Sequence, residues 1–572
     1  MSGDGIDRGM LIQAEKMITK ADDPTKGLEM VEDIMNLVSS GDLEAGDDGA
    51  LFFVGETIPR AVYSLLNRTD FDDELENRVF RFLEMVLVFI ARTIETGSDH
   101  LAMILHEILC EHSQPFYNQS TTRGGCEDIS DLGEMNNEIF DDPNLTQEAV
   151  FAELPHVDFA MRGPGYCFVS MINVYGRNGG FRAMRDEIMS QKMPPSMSRV
   201  RLLLLPLFEV KEYLSVEFVQ WFMRIRETVC KQVLSLSDEA FKNDFKSAQE
   251  VVQLLTGLQR CTLQDGGEAV DRFRLDFALK GFRSPFLERR LTGLGEMTEF
   301  VELFTDGGDE MARDEDKSSI VQVWVTPEFM QEWLMQNEIL ESIFVHNVHS
   351  EVIKRCHGVL LFLSSQQGIG EREAEMIWGA SLGKHESVQK IVHELLCEMT
   401  RSQSIEVLGV LMRLMEPLKP SEYTLQHLEL LRALAIHLAE RGGVEGFKRQ
   451  FAGLELLWKL VQDDVRFSVP ELHTICLKYF FETLEFPECI DVRGTYFGHC
   501  VRNLRSHRSV PPSLIVMSRL LQATSAKRKR CEFDESLFEG VSDQHELLDL
   551  AIADLVHLQT VPFDGPIATP RG

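Results

Sequence analysis

The sequence is short of positive charge, of closely spaced cysteines and of long apolar runs, and each shortage removes a class of function. Lysine and arginine number 57 against 91 aspartates and glutamates, a net charge of −34. Such a surplus opposes general binding to phosphate backbones or anionic membrane surfaces, so neither nucleic acid nor membrane is expected as a partner. The 11 cysteines are scattered from Cys110 to Cys531 without a single C-x-x-C, and the closest pair, Cys489 and Cys500, is too far apart for a zinc knuckle. With the polar start MSGDGIDRGM, this points to reduced thiols in the cytosol or nucleus. The most apolar stretches, at 85–91 and 202–208, are broken by charge well before the ~18 residues a membrane span requires.

Phosphate-binding loops are missing too. GRNGG at 176–180 and GGVEG at 442–446 lack the G-x-G-x-x-G and G-x-x-x-x-G-K-[ST] spacings and read as turn glycines. No cofactor is expected.

What the chain has in quantity is helical periodicity. After Ser98, a candidate cap, Leu101, Ile104, Leu105, Ile108 and Leu109 make one apolar stripe. Fully buried, those five side chains contribute on the order of 10 kcal/mol. Ordering the backbone costs a similar amount, so the helix needs a neighbour. The stretches 216–234 and 250–258 read alike. Thr326 and Pro327 form a cap and first helical position ahead of Phe329, Met330, Trp333 and Leu334. Ser350 opens a helix with Val352, Ile353, Cys356, Val359, Leu360 and Leu363 inside, closed by Gly368 and Gly370. Successive helices with one apolar stripe each and no closing strand predict an all-α chain, an armadillo/HEAT-like α-solenoid of stacked helical hairpins. The tryptophans Trp221, Trp324, Trp333, Trp378 and Trp458 are expected to be buried.

The stretch IWGASLGKHESVQKIVHELLCEM (377–399) carries two His-Glu pairs and a cysteine, the inventory of a metal site or thiol catalyst. A metalloprotease helix needs His-Glu-x-x-His, yet Gln389 follows the first pair and Cys397 the second. Val388, Ile391, Val392, Leu395, Leu396 and Met399 fall on one helical face, so packing is the preferred reading. Gly498-His499-Cys500 is the nearest local thiol candidate, and it lacks a supporting motif. Lys527, Arg528, Lys529 and Arg530 form the one dense basic run, a candidate nuclear import signal.

Residues 324–399, from WVTPEFMQEWLMQNEIL onward, resemble the helical region upstream of the catalytic domain in very large ubiquitin-specific proteases of the fat-facets type. The matching signature residues are Trp333 and Asn337, then Trp378, Gly383, Lys384, His385, Glu386 and His393, and the resemblance gives them a structural role. MINVYGRNGGF, GFRSPFLERRLTGLGEMTEFV and YFGHCVRNLRSHRSVPPSLIVMSRLL follow the same family in order, so the likeness spans roughly 166–521. It implies a helical arm that engages protein partners or ubiquitinated substrates, while a papain-like cysteine domain elsewhere performs hydrolysis. The family's cysteine box reads G-x-x-N-x-G-N-T-C-Y, and no Asn-Thr-Cys occurs here. Its histidine box contains Gly-His-Tyr, whereas Gly498-His499 is followed by Cys500. No residue therefore inherits a catalytic or metal-binding role.

The expected layout is a helical front segment (1–122), an acidic irregular linker (123–165), helical repeats (166–304), an acidic loop (305–319), repeats carrying the family tract (320–524), and a basic run with a C-terminal helix and tail (525–572). The ending, DGPIATPRG, leads to the expectation of a piece of a longer enzyme or a truncated product. The competing expectation is a stand-alone armadillo-type scaffold or transport adaptor unrelated to ubiquitin; an enzyme with a cleft of unrelated groups has the least support. The expected location is cytoplasmic, with nuclear entry through the basic run.

Overall fold

The structure, a computed structural model, describes residues 8–20, 24–39, 52–68, 73–94, 99–110, 166–192, 194–214, 216–260, 267–305, 324–346, 348–445 and 449–526, with short pieces at 549–550, 552–553 and 556–557. The candidate cap at Ser98, the acidic stretches at 123–143 and 306–319 and the basic run at 527–530 lie outside them. Among the described residues there is no strand, and helices follow one another as an all-α solenoid. Contacts divide the chain into two units, Met1–Gly293 with Val321–Val325, and Leu294–Ile320 with Thr326–Gly572.

The first unit opens with a hairpin of α1 (Arg8–Lys20) and α2 (Thr25–Ser39), followed by α3 (Ile58–Leu66), α4 (Asp73–Thr93) and α5 (Asp99–Ile108). The stripe read from the sequence faces inward on α5, where Leu101, Ile104, Leu105 and Ile108 are buried. Next come α6 (Tyr166–Arg177), α7 (Gly180–Met189) and α8 (Met197–Glu209), the last capped by the Ser196 hydroxyl, which accepts from the Arg199 N–H at 3.2 Å. Arg199 is 5% exposed and holds three elements at once. It donates to Glu187 of α7 at 2.7 and 3.0 Å and to the Ile94 carbonyl at 3.0 Å, while Asp99 of α5 stands 3.4 Å away.

The single helix expected over 216–234 is instead two, α9 (Val216–Phe222) and α10 (Arg226–Ser235), joined by a tighter turn at Met223–Ile225. The break sets Trp221 and Phe222 against Phe218 while Ile225 and Val229 enter the core. The expected 250–258 helix is the end of the longer α11 (Asp238–Arg260). In α12 (Gly267–Phe282), the Asp271 carboxylate is fully buried and accepts from the backbone N–H of Trp324 at 2.6 Å and of Val325 at 3.3 Å. Gly267 is required beneath that strap, because a Cβ there would lie 2.2 Å from the Trp324 ring. The boundary between units falls within α13 (Leu287–Thr305).

The second unit starts as the sequence predicts. Thr326 caps α14 (Pro327–Gln336), its hydroxyl accepting from the Phe329 N–H at 3.2 Å, and Met330, Trp333 and Leu334 are buried. After α15 (Ile339–Phe344), the helix expected from Ser350 to Leu363 is divided into α16 (Ser350–Arg355) and α17 (His357–Ser365). The cap is His349, one residue early, whose Nδ1 accepts from the Glu351 N–H at 3.2 Å. Cys356 sits between the two helices with its thiol donating to the Ile353 carbonyl at 3.0 Å. The core face runs through the break, and Val352, Ile353, Cys356, Val359, Leu360 and Leu363 are all buried.

Beyond lie α18 (Glu371–Gly379), α19 (Glu386–Met399), α20 (Ile405–Met415), α21 (Leu425–Glu445), α22 (Ala452–Leu460), α23 (Glu471–Leu484), α24 (Arg493–Arg505) and α25 (Val510–Ala526). α18 packs on α20, α19 on α21, and α21 on both α22 and α23. Contacts between helices adjacent and next-but-one in sequence are those of stacked hairpins. The α21–α22 crossing is close enough that a Cβ on Gly453 would fall 2.6 Å from the Ala435 Cα.

Candidate functional site

The residues that carried the resemblance fall into two structural devices. In the first, Trp333 is buried on α14 and Asn337 ends that helix, its side-chain amide donating to the Trp333 carbonyl at 2.9 Å. The second is the turn from α18 to α19. Gly383 has φ of +68°, in the left-handed region where a side chain is strained, and it turns the chain. His385 then caps α19, its Nδ1 accepting from the Ser387 N–H at 3.2 Å. Glu386 adds negative charge at the positive end of the helix. Lys384, His385 and Glu386 are exposed.

Of the second His-Glu pair only the histidine goes inward, while Glu394 stays exposed. His393 is 2% exposed on the packed face of α19, with its ring 5.3 Å from Trp378 of α18 and 4.1 Å from His427 of α21. Burial and then His427 push the His393 imidazolium down to about 3, and burial brings His427 to about 4. Both rings are neutral near pH 7. His427 accepts from the Thr424 N–H at 3.2 Å through Nδ1, whereas neither nitrogen of His393 has a hydrogen-bond partner among the described residues. The structure thus brings Trp378 and His393 together and adds His427, which the sequence did not nominate. Half-buried Cys397, four residues on, lies 3.9 Å from the Glu429 carbonyl, and burial raises its thiol pKa. Among the described residues no group of three or more histidines, cysteines or carboxylates is placed to hold a metal ion.

The described thiols of the second unit are poorly disposed to act as nucleophiles. Burial pushes Cys476 and Cys500 up to about 12 and Cys489 up to about 11, so their thiolates are scarce at neutral pH. Cys500 is fully buried on α24, while His499 beside it points its ring to other aromatics, so the local Gly498-His499-Cys500 candidate is not a dyad facing solvent.

A recessed surface occurs where α23 and α25 diverge. A groove of about 700 Å³ runs between them, with Leu477 and Phe481 on one wall and Leu514 and Ile515 on the other. Leu514 is 45% exposed and Ile515 49%. The charges on its walls are already paired, Arg519 with Glu485 and Lys478 with Glu482, both at 3.7 Å. In the first unit a groove of about 650 Å³ is lined by Val62, Tyr63, His100, Met103 and Ile104.

Residues 268–561, just over half of the chain, match the UBP24/USP9X/USP9Y ARM repeat. The chain belongs to this family. It is 29% identical to human ubiquitin carboxyl-terminal hydrolase 34 over 216 residues, which are 38% of this chain and 6% of that relative. Against mouse ubiquitin carboxyl-terminal hydrolase 9X it is 25% identical over 347 residues, 57% of this chain and 13% of the relative. Human ubiquitin carboxyl-terminal hydrolase 24 is 23% identical over 330 residues, 56% of this chain and 12% of the relative. The chain therefore spans 6% to 13% of the length of these relatives. The likeness read from the GKHE tract and the expected armadillo-type solenoid both agree with this ARM-repeat family.

Proposed function

We propose that this chain is a protein-binding arm of ubiquitin-specific-protease type, which holds ubiquitinated substrates or adaptors while a cysteine hydrolase outside these residues cuts. Family membership and the names of the relatives support the link to ubiquitin hydrolysis. The observation that carries the binding role is the α23–α25 groove, where two branched aliphatic side chains stand about half exposed on a surface whose charges are already neutralised in pairs. Covering that apolar area with a partner is favourable at roughly 25 cal/mol per Å². The proposed setting is cytoplasmic, with nuclear entry through the basic run at 527–530.

The test is quantitative capture from cell lysate with the full chain and with the double variant Leu514→Glu/Ile515→Glu. Both positions are partly exposed, so the variant is expected to fold with unchanged circular dichroism. Specific partners, including ubiquitin-conjugated proteins, should be retained by the wild type and lost by the variant. Identical capture by the two would overturn the assignment of the groove.

A further inference from the structure

Between α22 and α24 lies a niche of about 270 Å³, and its walls are aromatic: Phe451, Trp458, Tyr496 and His499. The last three form a closed set. Trp458 stands 5.7 Å from Tyr496 and 6.0 Å from His499, and Tyr496 stands 5.5 Å from His499, centroid to centroid. Phe480 of α23 closes the back, 5.6 Å from Trp458 and 5.3 Å from Tyr496. Tyr496 is 4% exposed, whereas Trp458 and His499 are half-buried and leave part of their rings toward solvent.

An ordinary core cluster would fill its own volume and satisfy its polar atoms. This one leaves a cavity, and the Tyr496 hydroxyl makes no hydrogen bond among the described residues and keeps some contact with solvent although the side chain is nearly buried. The exposed Glu455 also lines the niche and has no ion-pair partner among the described residues. Its charge is felt at both polar rings: it adds to burial in raising the Tyr496 phenol and opposes burial and Arg502 in lowering His499. Lys459, also exposed, lies on the same lining. The lowered His499 stays neutral near pH 7, so it adds no positive charge to the walls.

We propose that this niche binds a cationic side chain, an arginine or lysine, presented by a basic segment of a protein partner. Aromatic faces carry the negative part of the ring quadrupole and attract a guanidinium or ammonium placed over them. Glu455 supplies the countercharge at the mouth, and the Tyr496 hydroxyl offers an acceptor to an N–H donor that enters. An anion meets the carboxylate and the ring faces and is repelled. The chain's net charge of −34 draws a basic segment toward the surface, and the niche selects one side chain within it. The inference rests on the reading of the chain as a partner-binding arm and names the chemistry of one contact.

The test uses a fluorescein-labelled peptide with a central Gly-Arg-Gly-Arg-Gly, its lysine counterpart and its citrulline counterpart, titrated by anisotropy against the full chain. Citrulline keeps the shape and removes the charge. The wild type should bind the arginine or lysine peptide about tenfold more tightly than the citrulline peptide. Glu455→Gln should erase about fivefold of that preference, while Glu386→Gln, which removes one exposed carboxylate from α19, should leave it intact. Equal binding of charged and neutral peptides overturns the proposal. So does an equal loss from Glu386→Gln and Glu455→Gln, which would show attraction by bulk charge alone. If either occurs while Leu514→Glu/Ile515→Glu still releases partners, the niche falls and the arm survives; if that double variant also releases nothing, both fall.

Discussion

His393 gives the most quantitative handle on the second unit. Its ring is wedged between Trp378 and His427, 2% exposed, with both nitrogens lacking a hydrogen-bond partner among the described residues. The groups facing it are Trp378 from α18 and His427 from α21, the latter 6.0 Å from Tyr423 and bonded to Thr424. In the folded chain His393 is depressed from 6.5 to about 3 and His427 from 6.5 to about 4. A depressed folded value means that below pH 6.5 the unfolded chain takes up protons that the folded chain refuses. Stability is therefore unaffected by these groups above about pH 7, falls as pH drops from 6.5, and levels off below the folded values. Between pH 7.5 and pH 5.0 each histidine removes about 2 kcal/mol. His393→Phe keeps a ring in the same space and deletes both the titration and the orphaned nitrogens. At pH 7.5 the variant should equal the wild type or exceed it by about 1 kcal/mol, since no buried polar atom is left unpaired. Urea unfolding followed by tryptophan fluorescence at both pH values should show the wild type losing about 2 kcal/mol more than the variant on acidification. Carboxylate titration is common to both proteins and cancels in the difference. Equal losses, within about 0.5 kcal/mol, would refute the burial and neutrality of His393.

Two glycines on α13 make a matched pair: a Cβ on Gly293 would lie 2.3 Å from the Ala278 carbonyl and 2.5 Å from the Phe282 nitrogen, whereas one on Gly295 meets nothing within 4 Å. Gly293→Ala should cost about 1–3 kcal/mol in urea unfolding, and Gly295→Ala should gain about 0.5–1 kcal/mol. Truncating Glu187 to alanine removes the bidentate carboxylate partner of the buried Arg199 guanidinium and should cost about 3–5 kcal/mol, while Arg199→Met with Glu187→Leu should recover much of that loss in the same assay. Replacing the turn residue Gly383 by valine places a β-branched side chain at φ of +68° and should lower stability by about 1–3 kcal/mol without changing partner capture, because the GKHE tract shapes a turn.

How far the sequence could be read depended on whether the deciding interaction was local. Thr326 and Pro327 mark their helix start because a cap bonds three residues on, and the inward stripe of α19 follows from helical spacing alone. Gly383 and His385 were nominated only through the resemblance, and in the structure the one takes a left-handed turn while the other caps α19. Breaks at Cys356 and at Met223–Ile225 were missed because the apolar pattern runs straight through them. His427 was missed as the neighbour of His393 because α21 is a separate helix brought up by stacking. The same holds for the aromatic niche, where Trp458 comes from α22 and Tyr496 and His499 from α24. Burial was expected for every tryptophan; Trp221, Trp333 and Trp378 are buried, while Trp324 and Trp458 are half-buried, one against Gly267 and one at the niche. Periodicity reports which face of a helix turns inward, and it carries no information on which two faces leave a gap between them.

Whether this chain binds without cutting is tested most directly by incubating the purified full chain with ubiquitin carrying a cysteine-trapping electrophile at its C-terminus and recording the intact mass. A protein-binding arm whose hydrolase lies elsewhere should stay at 65.2 kDa. A mass increase of one ubiquitin, mapped to any cysteine of this chain, would contradict that assignment and make the chain itself a hydrolase.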